Sequence, residues 1–148
     1  LHTNSAPETL TRLRNMGIPS FNIATSVNLV IAQRLGRRLC SACKKPVDIP
    51  KPSLVEMGFT EADFAKGFTI YGPVGCDQCR DGYKGRVGIY EVMKVTPTIS
   101  KIIMEDGNAL QIAAASEQAG FNNLRRSGLK KVMQGITSLQ EINRVTSE

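Results

Sequence analysis

The residues of this chain best suited to chemistry are its four cysteines, which form two pairs with the same spacing. Cys40 and Cys43 make the first pair, Cys76 and Cys79 make the second, and the sequence contains no other cysteine. Two C-x-x-C pairs at the ends of one loop can bring four sulfurs to a single point. Zn²⁺ prefers four such ligands in a tetrahedron, with Zn–S distances of about 2.3 Å. The spacing therefore predicts one structural zinc ion per chain.

The same spacing is also typical of redox motifs, so a disulfide or a set of free thiols is the alternative interpretation. No segment resembling a signal peptide precedes the cysteines, and disulfides are rare in the cytosol, which favours the metal. The pairs are separated by residues 44–75, a loop longer than that of a compact zinc ribbon. We therefore expect this loop to contain secondary structure of its own.

The chain has 148 residues, 41% of them hydrophobic, which suits one ordinary domain or two small ones. No apolar run approaches the roughly 18–20 residues that span a bilayer, so no transmembrane segment is expected. The sequence begins at Leu1 rather than at a methionine. We interpret this start as a position inside a longer protein.

The net charge of +6 lies in the first third of the chain. Residues 1–51 carry eight Lys/Arg against two Asp/Glu, and residues 52–148 carry eleven of each. Such a segment could face a polyanion, nucleotide phosphates or an acidic partner, or simply balance a four-thiolate zinc site of about −2 charge. A zinc-knuckle nucleic-acid-binding module is thus an alternative function. Residues 22–58 contain no aromatic side chain for base stacking, however, so we expect no nucleic acid.

Capping and periodicity predict the elements around the cysteines. A helix is expected to begin at Ser5 and end near Gly17, and a second is expected over residues 21–36 because apolar residues recur there at helical spacing. Two helices and one strand end make a poor core, so residues 1–39 are interpreted as the edge of a larger domain. In the loop we expect helical turns at residues 53–57 and after Thr60, and a short strand at residues 68–71.

The remaining sequence predicts a turn at residues 81–85, a strand at residues 86–93 and then four short helices. Their predicted starts are Thr96, Asn108, Asn123 and Ser138, the last in a capping box with Glu141. The fold class expected is α+β and mostly helical, with a small helical bundle at the end. Zinc is expected to replace the hydrophobic core that residues 40–85 are too few to build.

Several stretches together resemble the secretion-ATPase superfamily, and the resemblance covers essentially the whole chain. Residues 1–6 and 11–13 resemble its histidine box, and residues 32–40 resemble the segment that leads into its tetracysteine element. Residues 82–91 are similar to the glycine-arginine strand after the second cysteine pair, and residues 135–146 to the last helix. The resemblance is to the hexameric ATPases of type IV pilus assembly and type II secretion, the pilus assembly ATPases being favoured.

This resemblance implies three parts. Residues 1–39 would be the C-terminal edge of a RecA-like ATPase domain, residues 40–85 a tetracysteine zinc-binding subdomain, and residues 86–148 a strand followed by a helical subdomain. It also implies a cytoplasmic motor that hexamerises and acts at the inner membrane through a platform protein. The motor would use ATP and Mg²⁺ to power pilin polymerisation, with a type II secretion ATPase as a second alternative.

Two residues outside the zinc site acquire roles from the resemblance. His2, the only histidine, would lie near the γ-phosphate and sense the nucleotide, since imidazole can donate or accept a proton near neutral pH. Arg86, between Gly85 and Gly88, would lie near the adenine, where a guanidinium can stack on the base or bond to its edge. The chain contains neither the phosphate-binding G-x-x-x-x-G-K-[ST] loop nor an acidic box upstream of His2. We therefore expect it to be inactive as an ATPase by itself.

Overall fold

The computed structural model describes residues 5–146 as a mixture of helices and strands. The elements follow one another in this order: α1 (Ala6–Asn15), α2 (Ser20–Ser26), β1 (Leu29–Leu39), β2 (Lys45–Pro46), α3 (Lys51–Met57), α4 (Glu61–Lys66), β3 (Tyr71–Gly72), β4 (Tyr83–Lys94), α5 (Pro97–Met104), α6 (Ala109–Gln118), α7 (Leu124–Met133) and α8 (Leu139–Thr146). Strands β1 and β4 form one two-stranded sheet, and β2 and β3 form another. The mixed fold class is confirmed, and the loop between the cysteine pairs does contain structure of its own.

The chain divides into two compact units, each assembled from two stretches of sequence. Unit 1 comprises residues 1–33 and 90–124, and unit 2 comprises residues 34–89 and 125–148. The four predicted C-terminal helices all exist, but α5 and α6 lie in unit 1, whereas α8 and all of α7 except Leu124 lie in unit 2. Strands β1 and β4 contribute residues to both units.

Unit 1 is a helical unit with an aliphatic core. Helix α1 begins as predicted: the Ser5 hydroxyl accepts a hydrogen bond from the Glu8 N–H at 3.3 Å. Helix α2 packs against α5, and α6 packs against both α1 and α5. Isoleucine supplies much of the core, since these side chains are at most 3% exposed: Ile23, Ile99, Ile103 and Ile112.

The predicted helix over residues 21–36 is wrong beyond Ser26. Helix α2 ends there, Val27 is already extended, and residues 29–39 form strand β1. The apolar residues of this stretch fit both periods, but burial follows the period of two: Val30 and Ala32 are buried, whereas Ile31 is 58% exposed. β-branched residues favour a strand, and pairing with β4 satisfies backbone groups that a helix would have satisfied internally.

Unit 2 contains the cysteines, the small sheet and the last helix. Strands β2 and β3 are antiparallel, with Lys45 opposite Gly72 and Pro46 opposite Tyr71. The predicted helices in the loop are confirmed as α3 and α4, and Thr60 and Asp63 form a capping box at the start of α4. The strand predicted at residues 68–71 is shorter and begins at Tyr71.

The strand predicted at residues 86–93 is confirmed within the longer β4, and the predicted turn before it overlaps the first residues of β4. No helix within residues 5–146 combines the length and the apolar character needed to cross a membrane.

Candidate metal centre

The two cysteine pairs lie next to the ends of the long strands. Cys40 follows β1 directly, and its N–H donates to the Gly82 carbonyl just before β4 at 2.9 Å. Gly82 has a φ of +91°, and a Cβ there would lie 2.4 Å from the Cβ of Pro73. Only glycine suits such a backbone. Gly82, in the predicted turn, therefore allows close contact with Pro73 and Val74, which precede the second cysteine pair.

The four sulfurs converge on one point, with all of their pairwise separations within 4.8 Å. Cys40 and Cys76 Sγ are 3.8 Å apart, Cys43 and Cys79 Sγ are 3.7 Å apart, and Cys76 and Cys79 Sγ are 3.6 Å apart. Four sulfurs at about 2.3 Å from a central zinc would be about 3.8 Å from one another. All four cysteines are free thiols, so the sulfurs have the composition and the spacing of a tetrahedral metal site.

The backbone around the sulfurs favours negative charge on them. Gly75 N–H donates to Cys43 Sγ at 3.4 Å, and Cys76 N–H donates to Cys79 Sγ at 3.3 Å. Such N–H···S contacts stabilise a thiolate, the form that binds a metal. The four cysteines could therefore hold a metal ion.

The thiols also influence one another's ionisation. Burial opposes ionisation of Cys40, but hydrogen bonds from the backbone of Ala42 and from its neighbouring thiols outweigh burial and lower its pKa to about 7. At Cys76 a backbone hydrogen bond from Gln78 favours the thiolate, but burial and the other three thiols outweigh it and raise its pKa to about 12. One thiolate therefore hinders the next, and a bound divalent cation would remove that repulsion.

Lysine and arginine side chains join the cysteine region to the last helices within unit 2. The Lys44 Nζ donates to the Gly135 carbonyl at 2.8 Å and lies 4.7 Å from the centre of the Tyr71 ring. The Arg125 Nε donates to the Met57 carbonyl at the end of α3, at 2.9 Å. The loop between the knuckles is thus attached to α7 and to the turn that follows it.

The Asp63–Arg126 ion pair makes a further connection of the same kind. Arg126 donates from both terminal nitrogens to the two oxygens of Asp63, at 2.6 and 2.5 Å, and the Asp63 side chain is 5% exposed. The guanidinium, helped by the Thr60 N–H, holds the pKa of Asp63 well below its usual range despite burial. The sequence predicted only a helical turn after Thr60 at this place, and no pattern in it pointed to Arg126.

The Glu141 carboxylate of unit 2 accepts hydrogen bonds from two arginines. Its side chain is fully buried and accepts from the Arg37 N–H at 2.8 Å, the Arg37 Nε at 2.6 Å and the Arg144 Nε at 2.6 Å. Burial alone would raise the pKa of Glu141, but these bonds outweigh it and lower the pKa to about 2. In the predicted capping box the carboxylate was expected to return to Ser138, yet only the Ser138 hydroxyl caps, accepting from the Glu141 N–H at 3.1 Å.

The Arg37 guanidinium also lies 4.2 Å from the centre of the Tyr83 ring, and the Tyr83 hydroxyl is 2.6 Å from that of Ser138. Strands β1 and β4 are thereby bound to the first turn of α8, immediately beside the Cys40 knuckle. No local pattern predicted this network, because Arg37 and Tyr83 are far along the chain from Ser138 and Glu141.

The roles predicted for the two nucleotide residues are not tested by the described part of the chain. Arg86 is exposed on β4, and its guanidinium has no hydrogen-bond or ion-pair partner within residues 5–146. His2 lies outside the described residues. Both roles therefore stay predictions.

Comparison with known proteins gives a consistent result. The model of the family described as "Type II/IV secretion system protein" matches residues 1–144. The chain is 78% identical to the type IV pilus assembly ATPase PilB of Acinetobacter baylyi and 63% identical to that of Pseudomonas aeruginosa, in each case over 100% of this chain and 26% of the relative. It is 40% identical to the type II secretion system protein E of Dickeya dadantii, over 100% of this chain and 29% of the relative. The chain thus spans about a quarter of the length of the curated relatives it matches.

Proposed function

The chain belongs to the type II/IV secretion system protein family, and we propose that it is the C-terminal portion of a hexameric motor ATPase that powers type IV pilus assembly. The observation that carries this proposal is the contrast in identity: 78% and 63% to two pilus assembly ATPases, against 40% to a type II secretion system protein E. The same contrast favours a pilus motor over a secretion motor.

We propose that Cys40, Cys43, Cys76 and Cys79 bind one structural zinc ion. The thiolate donor set, three sulfur separations of 3.6–3.8 Å and all six within 4.8 Å fit Zn²⁺ in a closed tetrahedron, which leaves no position open for a reactive water. The ion would hold residues 40–85 in shape beside the arginine–carboxylate network. In this role the zinc subdomain has no part in bond making or breaking.

The proposed ATPase role assigns ATP and Mg²⁺ to the longer protein. His2 would sense the γ-phosphate and Arg86 would lie near the adenine, where its exposure and lack of a partner within residues 5–146 leave the guanidinium available. Residues 1–39 would be the edge of a RecA-like domain. The outward-facing Leu29, Ile31 and Leu35 of β1, 52–58% exposed, support this because such a face is usually covered by further structure.

The motor would act in the cytoplasm at the inner membrane, through a platform protein that it turns to add pilin subunits. The test is to express the longer protein and this chain separately. The longer protein should hydrolyse ATP as an oligomer and restore pili to a strain that lacks its pilus assembly ATPase, whereas this chain alone should do neither. An oligomeric longer protein without ATPase activity, or one that restores secretion but not pili, would overturn the proposal.

A further inference from the structure

The α7–α8 turn, which is formed by residues 134–138, holds the chain just before the first cysteine pair. The Leu39 N–H, immediately ahead of the pair, donates to the Ile136 carbonyl at 2.8 Å. The Thr137 hydroxyl donates to the Arg37 carbonyl at 2.7 Å, and the Thr137 side chain is fully buried. Two hydrogen bonds therefore bind the end of β1 to this turn.

The same turn also holds the chain just after the first cysteine pair. The Lys44 Nζ donates to the Gly135 carbonyl at 2.8 Å and lies 4.7 Å from the centre of the Tyr71 ring. Gly135 has a φ of +76°, and a Cβ there would lie 3.1 Å from the Tyr71 Cδ2 and 3.3 Å from the Lys44 Nζ. A glycine at this position thus permits the close approach of the lysine.

The hydrogen bonds inside the first pair are local. The Cys40 carbonyl accepts from the N–H groups of Cys43, at 3.3 Å, and of Lys44, at 3.0 Å. These bonds fix the two sulfurs relative to each other, whereas a tetrahedral site also requires the correct distance to the second pair. The bond from the Cys40 N–H to the Gly82 carbonyl is one link toward that pair, and the α7–α8 turn supplies links on both flanks.

We propose that Lys44 and Thr137 are positioning residues for the metal site: they attach the two flanks of the first cysteine pair to the α7–α8 turn and so set the affinity for the metal. This inference rests on the proposed zinc site. Neither side chain binds the metal itself. Because coupling between two sites is reciprocal, the bound metal stabilises the attachment of the turn by the same free energy.

The role of Lys44 is tested against its neighbour Lys45. Lys44→Met and Lys45→Met each remove one positive charge within two residues of Cys43, so both change the electrostatics of the thiolates in a similar way. The Lys45 side chain is exposed and has no hydrogen-bond or ion-pair partner within residues 5–146. Contacts behind metal ligands change affinity by about 10–100-fold, so Lys44→Met should bind Co²⁺ at least about tenfold more weakly than Lys45→Met.

Competition with a chelator of known affinity measures this difference. Equal Co²⁺ affinities in the two lysine variants would overturn the role of Lys44.

The role of Thr137 is tested with two substitutions of similar size. Thr137→Val removes the hydroxyl that donates to Arg37, whereas Thr137→Ser keeps it. Thr137→Val should bind Co²⁺ at least about tenfold more weakly and should shift the absorption bands of the loaded protein, which respond to ligand geometry. Thr137→Ser should restore most of the affinity and the original bands.

The Co²⁺ bands separate positioning from a general loss of stability. A residue that only stabilised unit 2 would leave the bands of the fully loaded protein unchanged, because the four sulfurs would keep their geometry. Unchanged bands in Thr137→Val would therefore overturn its positioning role. If Thr137→Val does not fold, the comparison of the two lysine variants decides the inference.

A measurement without metal separates the inference from its premise. An unmodified chain that binds neither Co²⁺ nor Zn²⁺ would overturn the proposed zinc site and, with it, the effect on affinity. Amide hydrogen exchange at Leu39 would still test the attachment, since it should be faster in Thr137→Val than in Thr69→Val, which changes an exposed threonine of the same unit. Equal exchange in these two variants would show that Thr137 does not hold the first pair.

Discussion

The two units of the chain differ in charge and in what holds each of them together. Unit 1 carries four Lys/Arg against five Asp/Glu, and unit 2 carries fifteen against eight, so their net charges are −1 and +7. Among its described residues, unit 1 buries isoleucines between helices and one carboxylate, Glu91, which accepts from the Ala6 N–H but has no salt bridge. Unit 2 contains the four cysteines and two buried carboxylates bound by arginines, Asp63 and Glu141.

The two units are therefore stabilised by different interactions. Helices with an apolar stripe stabilise one another by burial, which depends little on pH or salt. A unit whose elements are short, such as α3, α4, β2 and β3, buries less apolar surface and uses polar connections and, as we propose, a metal site instead. The two units should therefore respond differently to chelators, acid and single substitutions.

The largest effect is expected from loss of the metal site. Cys76→Ser removes one of four ligands, and structural zinc sites supply an apparent binding free energy of about 10–16 kcal/mol, comparable to or greater than the whole stability of a small domain. Unit 2, including α7 and α8, should lose amide protection, whereas α5 and α6 in unit 1 should keep theirs. Hydrogen exchange resolved by residue measures both at once.

Ser41→Ala is the control for this change, since Ser41 is exposed within the same knuckle and supplies no sulfur. It should leave protection and zinc content unchanged, with about one zinc per chain by elemental analysis. Full protection of unit 2 in Cys76→Ser, or in metal-free protein, would remove the contrast between the units.

The second effect is expected at Glu141. Glu141→Leu leaves the Arg37 N–H without its acceptor and separates two guanidiniums from their carboxylate. Removing one partner of a fully buried pair costs about 3–5 kcal/mol, but both arginines are about half exposed and can be hydrated, so we expect a loss of about 2–3 kcal/mol. Urea unfolding followed by a probe in unit 2 measures the loss.

Glu61→Leu serves as the comparison, because Glu61 is 83% exposed and meets Lys51 at 3.6 Å on the surface of the same unit. Exposed pairs of this kind contribute little, so its unfolding should be close to that of the unmodified chain. Similar losses in the two variants would show that burial of Glu141 does not matter.

The sequence predicted what depends on local chemistry. Helix starts at Ser5, Thr60, Thr96 and Asn108 follow from side chains that accept from an N–H three residues later, and all four are found. The convergence of the four sulfurs also followed from spacing, because the geometry of a C-x-x-C knuckle is largely independent of the rest of the fold. A helix cap and a single C-x-x-C knuckle both lie within a few residues of the feature they predict.

What the sequence could not predict depends on distant partners. Residues 29–36 carry apolar residues at positions that suit either a helix or a strand, and only pairing with β4, which begins more than forty residues after β1 ends, decides for the strand. The arginine partners of Glu141 and Asp63 are likewise distant, apart from Arg144. Local capping patterns predicted Glu141 and the helix start at Thr60, but not the arginines that explain the burial of Glu141 and Asp63.

A third, smaller effect is a difference in pH dependence between the units. The pKa of Glu141 is lowered to about 2, from about 4.3 when unfolded, so its stabilising contribution is present above pH 4.3 and is lost as the pH falls toward 2. The pKa of Glu91 is raised, so its contribution is present below pH 4.3 and is lost as the pH rises through the folded value.

The free energy of unfolding of the unmodified chain, minus that of a variant, measures the contribution of the one carboxyl group that the variant lacks. Between pH 3 and 6 the difference for Glu141→Gln should increase with pH, and that for Glu91→Gln should decrease. Acid also releases the metal, from the unmodified chain and from each variant alike. The absorbance of the Co²⁺-loaded form shows the pH range in which the metal stays bound, and the unfolding free energies are compared within that range. Slopes of the same sign would contradict the assignment of opposite electrostatic settings to the two units.

The smallest effect tests how much of unit 2 is held by packing alone. Gly128 is buried in α7, and a Cβ there would lie 2.9 and 3.0 Å from the Cγ2 and Cδ1 of Ile142 in α8. Gly128→Ala gains about 1 kcal/mol of helix propensity and incurs about 1–3 kcal/mol of overpacking, so a net loss of about 1 kcal/mol is expected. Ile142→Val removes the Cδ1 and should make the double variant more stable than the sum of the two single losses implies. Additive losses, or a more stable Gly128→Ala, would mean that α7 and α8 are held by the polar connections rather than by their close contact.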